Sequence, residues 1–226
     1  MNNEIELITG RITQTPFDFE GDAKEAINNA DKFNLEDELP GFHDYEFGEV
    51  TRGYYSFIEP FEVECLEDGI MTAKIEKRIK TAEFMITDKF LFAWGNNQAV
   101  KLLSSMISGS FATATKIEFE FQELYDFQNR YKLCKSVKIK NPKENAVRTV
   151  NMAGRLDVYT SYNVLDANNH ELKSVTGVMA TGLGDITITV NANGTIRIGT
   201  KKESVIHADF LTWLITLICG GDNGQA

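Results

Sequence analysis

The stretch FMITDKFLFAWG, residues 84–95, constrains this chain more than any other. Phe84 and Ile86 flank Met85, and Phe90, Phe92 and Trp94 alternate with Leu91 and Ala93, so both faces are apolar. A period of two marks a strand. Thr87-Asp88-Lys89 between the runs reads as a tight turn. A hairpin that is apolar on both faces must be covered on both sides, or it leaves one apolar face for a partner. Directly after it, Ala99, Val100, Leu102, Leu103, Met106 and Ile107 make one apolar stripe at helical spacing.

The same order returns about a hundred residues later. Ile188 and Val190 stand for Phe84 and Ile86, Ile196 and Ile198 for Phe92 and Trp94, and Gly199 for Gly95, at an offset of 104. Asn193-Gly194 supplies a hairpin turn, since both residues tolerate positive φ. The helix FLTWLITLI, residues 210–218, matches AVKLLSSMI at an offset of 111. Such a return reads as internal duplication. The expected fold is α+β: an antiparallel sheet from two related strand-strand-helix halves, with helices Gln98–Ser108 and Ala208–Cys219 packed on one face. Trp213 and Leu103 are the expected core residues of those helices.

Charge divides the chain differently. Residues 1–69 hold 18 acids and 4 bases, and residues 70–157 hold 15 bases and 9 acids, although the whole chain carries a net −10. Within the leader, Asp22 and Glu25 resemble a capping box before a helix built on Ala23, Ala26, Ile27, Ala30 and Phe33. Residues 35–49 mix acids with Phe42, Tyr45 and Phe47, which read as aromatic pegs on a surface loop. Met71, Ala73 and Ile75 alternate with Lys74, Glu76 and Arg78 as a half-buried strand. Ile117, Phe119 and Phe121 read as another strand. Residues 155–180 read as two strands joined at Asp166–Asn169. The expected organisation is an acidic extension with one short helix over 1–50, a first half over 51–110, basic connecting strands over 111–160, a second half over 161–219, and a flexible tail over 220–226.

Four prolines and 42% hydrophobic residues exclude a disordered chain. The longest apolar run, Phe210–Cys219, is short of the roughly 20 residues a membrane helix needs. The start, Met-Asn-Asn-Glu-Ile, reads as no signal peptide, and three scattered cysteines read as reduced thiols, so a cytoplasmic protein is expected. His43, His170 and His207 lack the spacing of a metal motif. Cys134 has no partnered base and reads as a buried strand cysteine. ATGLGD, residues 180–185, lies before a strand rather than a helix, so it reads as a turn or bulge and not a dinucleotide fingerprint. No catalytic residue, metal or cofactor is expected.

One charged feature points to a ligand. Arg130, Lys132, Lys135, Lys138, Lys140 and Lys143 are six cations with no acid among residues 130–143, and Tyr131 beside them is a candidate for base stacking. The same residues also fit a solvated strand edge guarded by lysines. Lys138 and Lys140 flank Ile139 on the outer side of the strand they share.

The segment AEFMITDKFLFAWG, residues 82–95, resembles the TATA-binding protein family, in which two strand-strand-strand-helix copies build a saddle-shaped sheet with helices on its back. Lys89 matches the family's lysine. Met85 stands where the family's first copy carries a DNA-wedging phenylalanine, Thr189 stands at the corresponding point of the second, and Asp88 replaces the turn glycine. A methionine can wedge between bases better than a threonine can. The resemblance implies a fold and not a promoter activity. The expected function is a non-catalytic binding module for nucleic acid, acting through the basic strand or an open sheet face that includes Met85, with the acidic leader modulating access. A protein partner or a larger assembly is the alternative, and an enzyme is the third reading.

Overall fold

The structure is a computed structural model that describes residues 4–7, 11–67, 70–109, 111–140, 149–156, 171–182, 184–200 and 204–220. In chain order the elements are β1 (Glu4–Leu7), β2 (Arg11–Gly21), α1 (Ala23–Asn29), β3 (Gly41–Glu46), β4 (Thr51–Glu67), β5 (Ile70–Ile86), β6 (Phe90–Gly95), α2 (Asn97–Ile107), β7 (Ala112–Lys116), α3 (Phe121–Gln128), β8 (Leu133–Lys140), β9 (Thr149–Leu156), β10 (Glu171–Thr181), β11 (Gly184–Asn191), β12 (Ile196–Gly199), β13 (Ser204–His207) and α4 (Ala208–Ile218). Sheet with antiparallel pairing dominates, so the α+β class holds. Two compact units form: Phe17–Thr115, and Met1–Pro16 with Lys116–Ala226.

In the unit Phe17–Thr115, the strands run β3-β4-β5-β6, followed by the later part of β2. Phe84 pairs with Ala93 and Ile86 with Leu91, which puts these four on one face. There they join Phe17, Phe19, Ile27, Phe42 and Tyr55, under Ala99, Val100, Leu103 and Ile107 of α2. Phe42 meets Tyr55 and Phe84 edge-on, with ring centroids 5.4 and 5.6 Å apart, an arrangement that suits the ring quadrupoles. The Asn96 side chain caps α2 by accepting from the backbone N–H groups of Gln98 and Ala99. Met85 pairs with Phe92 on the other face, and both are fully buried. The hairpin is therefore covered on both sides, one of the two outcomes its composition allows.

The expected acidic extension with one short helix holds strands as well. Residues 11–21 form a strand with residues in both units, and Gly41–Glu46 pairs with β4. Asp22 does cap α1, accepting from Glu25 N–H at 2.9 Å. The helix stops at Asn29 instead of reaching Phe33, because Asp31 and Phe33 exchange backbone hydrogen bonds with Phe42. Phe42 is the strongest of the expected pegs at 1% exposure, while Tyr45 and Phe47 pack partly buried against the same core. The reading of Met71–Arg78 and Ala82–Ile86 as separate strands is also corrected: β5 is continuous from Ile70 to Ile86.

In the other unit the order is β12-β11-β10-β8-β9, with Arg11–Gln14 of β2 paired to β12. Inward residues include Val175, Met179, Ile186, Ile188, Val190, Ile196 and Ile198, all buried. Helix α3 packs against β10 and α4. This helix replaces the expected strand at Phe121. Glu120 and Glu123 form a reciprocal capping box that starts it, a signal present in EFQE but masked by the alternation before it. The expected join at Asp166–Asn169 lies outside the described residues. In α4, Leu211, Leu214, Ile215 and Ile218 are buried, but Trp213 is only partly so, contrary to expectation; its ring packs against Phe210 at 5.5 Å.

The two helices of the expected repeat span Asn97–Ile107 and Ala208–Ile218. Their preceding hairpins differ in register. Phe92 pairs with Met85, whereas Ile196 pairs with Val190 rather than with Thr189. The second turn is one residue longer.

Leu103 is fully buried and Leu102 is 36% exposed, one residue apart on α2. Leu103→Ala should lower unfolding free energy in urea by about 2–5 kcal/mol through lost transfer energy and the cavity left behind. Leu102→Ala should cost under about 1 kcal/mol.

Candidate nucleic-acid interface

The candidate surface begins with one glycine. A Cβ at Gly177 would lie 2.3 Å from Tyr131 Cγ, so only a glycine lets the Tyr131 ring lie on β10. The hydroxyl donates to the Ile188 carbonyl at 3.0 Å, and the ring meets Phe127 edge-on at 5.2 Å. Tyr131 is buried, and desolvation holds its hydroxyl pKa well above the ordinary tyrosine value. It is therefore a core clamp and not available for base stacking, which corrects the sequence reading. Met85 is likewise removed from any open face by its complete burial.

With Gly177 inward, its neighbours Thr176 and Val178 point outward. Pairing then extends the outward row across the sheet: Thr176 opposite Thr189 and Ser136, Thr189 opposite Arg197, and Arg197 opposite Thr13. The Thr176 and Thr189 hydroxyls are 3.0 Å apart, and Arg197 Nε donates to Thr13 Oγ1 at 3.3 Å. The next row sets Val178 opposite Thr187, Thr187 opposite Gly199, and Gly199 opposite Arg11. From β8, Lys135 Nζ donates to Thr187 Oγ1 at 3.4 Å. These side chains line a cleft of about 750 Å³ whose charged members are Arg11, Lys132, Lys135, Arg197 and Asp185. Lys132 pairs with Asp185 at 3.1 Å. Among the described residues, four cations therefore line the cleft with one acid.

The remaining expected cations divide. Arg130 is exposed at the end of α3. Lys138 is exposed and Lys140 half-exposed on β8, with Val137 and Ile139 inward, as the alternation of that strand predicts. Lys140 lies 3.9 Å from Glu171, and Lys173 bonds the same carboxylate. Lys173, and then Lys140, hold the Glu171 carboxyl below the usual range. Lys138 opens on a separate cleft of about 710 Å³ that also contains Glu118, Glu120 and Lys173, so charge there is balanced. Lys143 lies outside the described residues. The positive site is thus displaced from the basic run toward Arg11 and Arg197. Sequence reasoning missed Arg11, Thr187 and Arg197, and named Thr189 only at the second wedging point of the family it resembles. Their signal is the alternation in RIT, DITITV and TIRIG, where cations and threonines share one parity.

Chemistry of another kind is suggested by His43. Its Nδ1 lies 2.8 Å from Asp44 Oδ2 and its Nε2 lies 2.9 Å from Ser56 Oγ, the bonding order of a hydrolytic triad. Ser56 is 1% exposed and its hydroxyl also bonds Thr81 at 2.8 Å. A buried hydroxyl held from two sides cannot meet a substrate, so this chain of bonds ties β3, β4 and β5 together. Among the described residues no cluster of three or more His, Cys, Asp or Glu side chains could hold a metal ion, and no helix is long and apolar enough to cross a membrane. The sequence matches no protein-family model and no curated protein.

Cys134 is buried on β8 beside β10, and desolvation raises its thiol pKa. Tyr131 is shifted in the same direction. For both groups the folded pKa exceeds the unfolded one, so their stabilisation is full below the unfolded values and is lost as pH rises through the folded ones. Denaturant midpoints should therefore fall as pH rises above about 8.5, the ordinary thiol value, and the fall should be smaller in Cys134→Ala. Mass spectrometry after brief alkylation of the native protein should find Cys219, which is exposed, modified before Cys134.

Proposed function

We propose that this chain is a non-catalytic module that binds nucleic acid by its phosphate backbone across the outward face of β8, β10, β11 and β12. The observation that carries the reading is the cleft in which Arg11, Lys132, Lys135 and Arg197 converge beside Thr187 and Thr189, with Asp185 the single acid among the described lining residues. Arginine forks and threonine hydroxyls match phosphate oxygens geometrically as well as by charge. With Tyr131 and Met85 buried, the expected aromatic stacking and wedging groups are absent from this surface among the described residues. Backbone contacts without base readout favour binding that tolerates many sequences. The acids of residues 1–49 enter the same reading through long-range repulsion, which slows association at low salt.

The finer architectural reading, two related halves similar to the TATA-binding protein family, belongs to the same proposal. It is supported by the hairpin, glycine and helix in each unit, and by Asn97–Ile107 and Ala208–Ile218 standing at the constant offset of 111. The one-residue difference in hairpin register and the burial of Met85 weigh against a shared DNA-kinking surface.

Fluorescence anisotropy with labelled single- and double-stranded oligonucleotides tests the function. Binding should weaken with salt at a log–log slope of up to about −3.6 on duplex, if all four cations touch phosphates. Arg197→Glu with Lys135→Glu should remove measurable binding and leave the circular dichroism unchanged, whereas Lys138→Glu should have a smaller effect. Absence of binding by the wild-type chain at low salt would sink the proposal.

A further inference from the structure

The cationic cleft has one position without a side chain in its floor. Across the sheet an outward row runs Arg11, Gly199, Thr187 and Val178. Neighbouring strands stand about 4.8 Å apart, so the backbones of Arg11 and Thr187 are roughly 10 Å apart with only Gly199 between them. Arg197, two residues before Gly199 on β12, borders that position from the next row. Lys135 reaches it from β8. It is the extra residue of a β-bulge, where Thr176 lies opposite Ser136 and Gly177 opposite Cys134. Bulges re-aim a side chain, and this one sends Lys135 Nζ across β10 to Thr187 Oγ1 at 3.4 Å. Two guanidinium groups, an ammonium and a hydroxyl thus gather around one glycine.

The two directions along β11 from this position are unlike. Toward the start of the strand, Asp185 is the next outward residue, about 6.7 Å from Thr187 along the backbone. It is exposed and bonded to Lys132 at 3.1 Å, so that end of the cleft is a neutral pair with an open carboxylate. In the other direction, Thr189 shares a row with Thr176 and Ser136, and the next row holds Asn191, Ser174 and Lys138. Neither of these rows contributes an acid. An anionic chain is admitted over the hydroxyls and discouraged past Asp185.

These observations choose between two kinds of phosphate. An internal phosphodiester carries one negative charge and continues on both sides, so seating one at Gly199 brings a neighbouring phosphate toward Asp185. A terminal phosphate monoester carries about −1.5 to −2 charges near neutral pH, offers three strong acceptor oxygens, and has no neighbour on one side. Three cations around one position match the monoester better than the diester. Resting on the nucleic-acid reading above, we propose that the position over Gly199 is a seat for the terminal phosphate of a nucleic-acid strand. Arg11 and Arg197 offer N–H forks to its oxygens, and Lys135 and Thr187 offer single donors. The chain leaves over the rows of Thr189 and Asn191. The 5′ and 3′ ends of a strand share this chemistry, and the binding experiment separates them.

Fluorescence anisotropy of the full chain with one short, internally labelled single strand in three forms tests this: a 5′-phosphate, a 3′-phosphate, or hydroxyls at both ends. One phosphorylated form should bind at least about tenfold more tightly than the unphosphorylated strand, the gain expected from charged hydrogen bonds to an added dianion. Which form does so names the end. Gly199→Val puts a branched side chain in the seat at a strand position that suits valine. With its circular dichroism unchanged, this variant should bind the phosphorylated and unphosphorylated forms alike. Asp185→Asn changes an exposed side chain and is the second variant. It should tighten the unphosphorylated strand more than the phosphorylated one, because an internal phosphate at Gly199 then meets no carboxylate beside it. Equal binding of all three forms by wild type would overturn the seat and leave backbone binding in place. So would a preference that survives Gly199→Val, or an Asp185→Asn variant that keeps the wild-type ratio. If no form binds at low salt, the nucleic-acid reading fails and the seat falls with it.

Discussion

Tyr131 lying on Gly177 decides which side of β10 is inside. A strand has only two faces, and a slip of one residue exchanges them. With the ring clamped by its hydroxyl on the Ile188 carbonyl, Val175, Ile186, Ile188, Val190 and Ile198 are inward. Thr176, Thr187, Thr189 and Arg197 then have no alternative but the open side. The reverse register would turn the Arg197 guanidinium inward, at a large desolvation cost. The core clamp and the cationic cleft are thus two consequences of one interaction.

The unit Phe17–Thr115 shows what happens when alternation is not matched by a cover. The inner part of the β4–β5 pair is packed on both faces, with Phe84 and Met85 as neighbours and both fully buried. Beyond Phe57 the same two strands keep their hydrogen bonds and lose their layers. Separation of charge between the two strands is a device against edge pairing. Residues 57–67 and 70–80 therefore retain opposite charge within one hairpin, a detail that the net charge of −10 conceals.

Hydrogen-bond geometry alone does not make a catalytic centre. Asp44, His43 and Ser56 have triad-like connections, yet the serine is sealed into a sheet and shared with Thr81. The cleft on the other unit has longer hydrogen bonds and solvent-exposed cations. Accessibility separates the two sites more than bond distances do.

Much of the local structure was legible in the sequence. The hairpin at residues 84–95, both eleven-residue helices, the Asp22 cap and the alternation of Val137 and Ile139 with Lys138 and Lys140 all follow from periods of 2 and 3.6 and from capping chemistry, which act over a few residues. Tertiary pairing decided the rest. Met71 and Ile75 have the pattern of a half-buried strand, but only the early end of β3 and β6 leaves them in water. Tyr131 has the look of a stacking residue, but a glycine 46 positions away gives it a buried seat. The basic run at residues 130–140 was visible, while the convergence of Lys132 and Lys135 with Arg11 and Arg197 required five strands to meet in register. Local periodicity says which side chains share a strand face; only long-range pairing says which faces are covered and which charges become neighbours.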